Sequence, residues 1–124
     1  MLHYICVFAG GGAGCMARYA LGVRMASYTQ SGQIPWHTLT INLLGCLFIG
    51  LLLGYLQTRP NSYLAALLVS GFCGGFTTFS TFSNETLELL RNGHTLTALS
   101  YLIISLGVGL CCTAVGYILA RQLA

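Results

Sequence analysis

The chain has 124 residues, 56% of them hydrophobic and 6% charged, with a mean hydropathy of +0.78; a soluble core of that size could not bury so much apolar surface, so the expected solvent is lipid. It carries no Lys and no Asp, and its formal charges are Arg18, Arg24, Arg59, Arg91 and Arg121 against Glu85 and Glu88, a balance of +3. Arginines so few and so scattered do not make a nucleic-acid surface.

Four apolar segments, approximately residues 2–26, 36–56, 63–90 and 95–120, are each long enough for the ~20 residues a spanning helix needs. They predict an all-α membrane protein, one four-helix domain over residues 1–124. The first segment holds Gly10, Gly11, Gly12, Gly14 and Gly22. Gly10 and Gly14 have the four-residue spacing of a close-packing face, which matters in lipid because packing drives helix association there. Arg18, in "GAGCMARY", is the costliest residue near the membrane, and either snorkels to the interface or collects anions at a vestibule. No Lys or Arg precedes this apolar run and no soluble domain follows a cleavage site, so a span is expected rather than a signal peptide.

The break "SYTQSGQIP" leads to the second segment, where Gly45, Gly50 and Gly54 again suit a close-packed face. Asn42, in "LTINLLG", brings an amide with two N–H donors that must find partners in lipid. A bond to a neighbouring helix and a role towards an ion both stand. Runs such as "LLGCLFIGLLLGYL" do not alternate apolar and polar, which disfavours a β-barrel. Pro60, in "QTRPNS", then stops one helix and starts the next.

The third segment contains "GFCGGFTTFSTFSNE", residues 71–85, with three glycines, five hydroxyl side chains and four phenylalanines. A helix needs none of these merely to span a bilayer. Gly74 and Gly75 followed by Thr77 and Thr78 invite a break, and irregular backbone at that depth survives only where protein or a cavity satisfies its carbonyls. The competing reading is an ordinary helix whose hydroxyls bond their own backbone. Phe79 and Phe82 share a helical face, with Phe76 a further turn back, interleaved with Ser80, Thr81 and Ser83. Ring edges are positive and can attract an anion without the grip of a full charge, the compromise that conduction requires.

"RNGH" makes a tight turn into the fourth segment, which carries Gly107, Gly109 and Gly116. Ser105 and Thr113 there could bond locally. Cys6, Cys15, Cys46, Cys73, Cys111 and Cys112 lie in apolar segments without metal-ligand spacing and read as small packing residues. His3, His37 and His94 lie near segment ends and read as interfacial polar residues.

Four spans put Arg59 and Arg121 on one side, against Arg24 and Arg91 on the other, plus Arg18 if it lies near the membrane surface, so neither side has the excess that normally sets orientation. The expectation is insertion in both orientations and antiparallel pairing; four short helices enclose little space, so a pathway would be built with a second copy. Glu85 and Glu88 sit near the far end of the third segment and no carboxylate lies in the others, leaving little to carry a proton at mid-membrane. Nucleophile–base sets, metal-ligand clusters and phosphate loops are also absent from the sequence, which argues against an enzyme.

"GGGAGCMARY", "TINLLGCLFIG" and "GFCGGFTTFSTFSNE" resemble, in order and separation, three signature stretches of the CrcB or Fluc family of fluoride channels. The resemblance implies an antiparallel dual-topology homodimer in the cell inner membrane, with two fluoride pores. Pore-lining residues would be Asn42, Phe79 and Phe82, with Ser80, Ser83 and Thr113 as a hydroxyl track and Arg18 at the vestibule. It further implies a central structural sodium ion held by the backbone carbonyls of Gly74 and Thr77 from both subunits. Gly109 stands where some relatives place a serine, a departure at the far end of the track. The alternative, a small dual-topology multidrug exporter, would need an acid in the first helix, and residues 2–26 have none.

Overall fold

The computed structural model describes residues 1–123, and among them no strand occurs. α1 (Leu2–Met25) runs into a 3-10 turn (Ala26–Tyr28), and α2 (Trp36–Thr58) follows the first loop. The third span is composite: α3 (Ser62–Leu64), a π-helical stretch (Ala65–Cys73), α4 (Gly74–Phe76) and, after two extended residues, α5 (Phe79–Arg91). α6 (Thr95–Leu123) completes the chain. All four spans are long and apolar enough to cross a membrane.

Local chemistry explains the ends. Pro35 precedes α2 and its carbonyl accepts the Leu39 N–H (3.0 Å), a place where a missing proline N–H costs nothing. The Asn61 side chain caps α3 by accepting the Leu64 N–H. Gly93, at φ +81°, closes α5: its N–H bonds the Leu90 carbonyl and the His94 N–H the Leu89 carbonyl, the paired bonds of a left-handed glycine cap.

Glycines set the packing. A Cβ on Gly10 or Gly14 would run into the Leu67 or Phe72 carbonyl, so this pair seats α1 on the π-helical stretch. Gly75 meets the Gly11 carbonyl in the same way. On the other side Gly50 lies against the Thr113 carbonyl, Gly54 against that of Tyr117, and Gly116 against that of Leu47. The spacing motifs are therefore spent on contacts within the chain, α1 with the third span and α2 with α6. Gly50→Val is expected to destabilise the fold by about 1–3 kcal/mol, because the seam must open around fixed backbone. Thermal unfolding in detergent reads this; an unchanged midpoint would contradict the packing account.

The interior is concentrated at one end of the bundle, where Leu39 of α2, Phe82 and Leu89 of α5, and Ala98 and Tyr101 of α6 form one cluster. Tyr101 has 0% of its surface exposed. Elsewhere large apolar side chains such as Phe8, Leu96, Ile103 and Leu110 face outward, as lipid-facing surfaces do.

Candidate functional site

The third span breaks at Thr77 (φ −83°, ψ 159°) and Thr78 (φ −147°, ψ 115°), both extended. Threonine is β-branched and tolerates that conformation well. Of the four residues that suggested a break, Gly74 and Gly75 stay helical in α4 while Thr77 and Thr78 are the extended pair. Gly75 serves close approach to α1, and Gly74 is open.

Two residues of α2 receive the break. The Asn42 amide grips the Thr78 peptide from both sides: Thr78 N–H donates to Oδ1 (2.9 Å) and Nδ2 donates to the Thr78 carbonyl (3.1 Å). That reciprocal pair fixes which way the amide points and leaves its second N–H uncommitted. Three residues on, Gly45 admits the Thr77 methyl, where any larger side chain would collide. From α1, Arg18 Nε donates to the Gly75 carbonyl (3.1 Å). Arg18 thus satisfies an acceptor at the end of α4 besides lying at a cleft. Thr78 also caps α5, its hydroxyl oxygen accepting the Thr81 N–H (3.3 Å).

Two clefts flank the break. One, of about 370 Å³, is lined by Asn42, Gly74, Thr77, Thr78 and Phe79 among others. The other, of about 390 Å³, brings Arg18 together with His37, Thr38, Thr78 and Thr81. Phe79 is 77% exposed and Phe82 only 8%, with ring centroids 5.9 Å apart. Phe82 packs edge-on against Tyr101 at 4.9 Å. Phe76 does not extend their stripe: it precedes the break and stacks with Phe72.

The hydroxyls are differently placed. Ser83 donates to the Phe79 carbonyl (2.9 Å) and Thr113 to that of Gly109 (3.1 Å), so both bond their own helix. Ser80 lies 3.4 Å from the Thr78 hydroxyl. Thr113 sits on the α2–α6 seam behind Gly50 and lines neither cleft. Ser105, expected to bond locally as Thr113 does, instead has a buried hydroxyl oxygen without a partner.

Gly74 and Thr77 both border the first cleft. Because the Thr78 N–H turns to Asn42, the Gly74 carbonyl loses the donor that a continuous helix would supply four residues on. Hard carbonyl oxygens suit sodium, yet two from one chain leave a hard cation short of its usual six or more ligands.

Sequence reasoning missed a second constellation. Glu85 accepts from the Thr38 hydroxyl (2.7 Å) and the Tyr101 hydroxyl (2.9 Å), and His37 Nε2 lies 3.1 Å from its Oε1. The Glu85 carboxylate, near the far end of the third segment, is the hub of a polar cluster linking α2, α5 and α6. His37, near the start of α2, is a partner in that cluster. Thr38 and Asn42 stand four apart on α2, hence on one face, and that spacing was the available signal.

Four membrane-capable helices, the third broken with amide, hydroxyl and ring-edge groups beside the break, mark a multi-pass membrane protein. The chain belongs to the family described as CrcB-like protein, camphor resistance (CrcB), whose model matches residues 5–117. It is 42% identical over 116 residues to a protein of Flavobacterium psychrophilum named fluoride-specific ion channel FluC, covering 92% of this chain and 93% of that one. Proteins of the same name from Francisella philomiragia (42% over 122 residues, 94% of this chain and 92% of that one) and Gloeothece citriformis (38% over 123 residues, 98% and 99%) are similar.

Proposed function

We propose that the chain is a fluoride-selective channel that lets fluoride leave the cell passively across the inner membrane, working as an antiparallel homodimer with two pores. The observation that carries this is the break at Thr77–Thr78 pinned by Asn42 beside Phe79, in a chain about as long as relatives named for fluoride conduction.

The chemistry is that of replacing water. Stripping a small anion of its hydration costs on the order of 20 kcal/mol in an idealised low-dielectric medium, so the path must offer donors throughout. Asn42 offers its free N–H, Phe79 and Phe82 their ring edges, and Ser80 a hydroxyl at the start of α5. Ser83 and Thr113 form the hydroxyl track by reorienting O–H groups that otherwise bond their own helices. Arg18 provides fixed positive charge at the vestibule, where steering raises local anion concentration. None of these holds the ion as firmly as a mid-path ammonium would, so it can leave again.

The carbonyls of Gly74 and Thr77, matched by those of a second copy, would hold a structural sodium ion whose charge secures the two breaks against each other. Fluoride, the partner subunit and lipid are then the chain's partners. The exporter reading fits less well, since Glu85 is engaged by three neighbours and stands in the third span.

Expression in a fluoride-sensitive host is expected to restore growth on fluoride at mildly acidic pH, where the permeant acid loads the cytoplasm. Absent protection from a membrane-inserted, dimeric product would refute the reading. Single cysteines labelled from one side should report both orientations in equal measure, and a single orientation would refute the antiparallel pair.

A further inference from the structure

The cluster around Glu85 holds a charge that the proposed conduction path does not need. The carboxylate lies one helical turn beyond Phe82 on α5, and Tyr101, which receives the Phe82 ring edge-on, donates its hydroxyl to Glu85 Oε2. A negative charge here stands beside the route of an anion and opposes it. The group placed against that charge is His37.

His37 stands in the first turn of α2 and lines two clefts at once: the one shared with Arg18 and a third, of about 310 Å³, shared with Glu85 and Glu88. Its side chain is 29% exposed and that of Glu85 13%, so the imidazole reaches water while the carboxylate hardly does. Nε2 faces Glu85 Oε1 at 3.1 Å, and Nδ1 lies 3.4 Å from the Thr29 hydroxyl. With Nε2–H donating to Glu85, Nδ1 can accept from Thr29 when the ring is neutral and donate to it when the ring is charged. Either way the contacts survive, and only the net charge of the pair changes.

We propose that His37 is a positioning residue for fluoride conduction: it holds the Glu85 carboxylate in place and, by taking up a proton, cancels its charge beside the ion's path. This rests on the chain being a fluoride channel. The charged and titratable groups around the imidazole are Cys15, Arg18 and Tyr19 of α1 across one cleft and Glu85 and Glu88 of α5 across the other. Tyr101 of α6 lies on the far side of the Glu85 carboxylate. Of these groups the His37 imidazole is the basic one set directly against the Glu85 carboxylate, so a proton gained or lost there changes the field at this mouth. The sign follows: at low pH the pair is neutral and the anion passes; at high pH it carries one negative charge and the anion is repelled.

The test is fluoride efflux from liposomes, corrected for protein-free vesicles, at matched internal and external pH between about pH 6 and about pH 8. Wild-type flux should fall at least about threefold over that range, the effect of one unit charge a few ångströms from the path even under water-like screening. His37→Gln should be flat at the lower level and His37→Lys flat at the higher one, since glutamine keeps a donor without charge and lysine a charge without titration. A flat wild-type profile, or a wild-type slope that persists in His37→Gln, overturns the proposal. Wild-type fluoride flux absent at every pH would instead overturn the channel reading beneath it. Should His37→Gln fail to assemble, the wild-type profile against His37→Lys decides in the same way.

Discussion

Asn42→Asp is expected to abolish fluoride flux, with a drop of at least about a hundredfold. The amide makes two opposed bonds to one peptide, accepting from Thr78 N–H and donating to its carbonyl. A carboxylate can keep only the first. Its other oxygen then faces the Thr78 carbonyl and presents a negative charge to the arriving anion. An uncompensated charge in a partly buried site costs about 3–5 kcal/mol, enough for that loss of rate on its own. Asn42→Ala separates the two effects: it removes both bonds to Thr78, costing about 1–3 kcal/mol for the peptide left without partners, but adds no charge. If Asn42→Asp conducts like wild type in vesicles while eluting as an intact dimer, Asn42 has no place in the pathway.

The second large effect is expected at Phe79. Its ring is mostly exposed on the single chain and borders the cleft beside Asn42. Phe79→Ile should therefore leave stability within about 0.5 kcal/mol while slowing fluoride about two- to tenfold, the loss expected when an aromatic edge worth about 0.5–1.5 kcal/mol is removed. Phe82→Ile is the less clean variant. That ring is buried against Tyr101, so flux and stability should fall together, the latter by about 1–3 kcal/mol. Vesicle efflux and thermal unfolding measured on the same preparations distinguish the two positions. Unchanged efflux in Phe79→Ile would remove the ring from the path.

Much of this architecture was legible because membrane spans declare themselves locally. Length and apolarity mark four helices, and Pro35, Pro60 and Asn92–Gly93 punctuate them. The break was legible in place. Gly74 and Gly75 followed by Thr77 and Thr78 suggested it, and of the four it is Thr77 and Thr78 that are extended, because Gly75 is committed to α1 and the register against Asn42 and Gly45 is set by α2. The π-helical stretch Ala65–Cys73 had no signal, since "AALLVSGFC" reads as an ordinary apolar helix.

The Glu85 cluster was hidden for a different reason. Its bonds join residues 47 and 16 positions apart, so they exist only once α2, α5 and α6 have packed. Hydroxyls were the hardest to read. Whether a membrane serine bonds its own helix, as Ser83 does, or is left unpartnered, as Ser105 is, depends on neighbours that composition does not name.

The most direct measurement is fluoride release from vesicles containing the purified protein, with potassium counter-flow to cancel the membrane potential and chloride release as control. The account predicts rapid, complete fluoride release from every vesicle holding a dimer, with chloride retained. Vesicles that keep their fluoride although the reconstituted protein is folded and paired would contradict it.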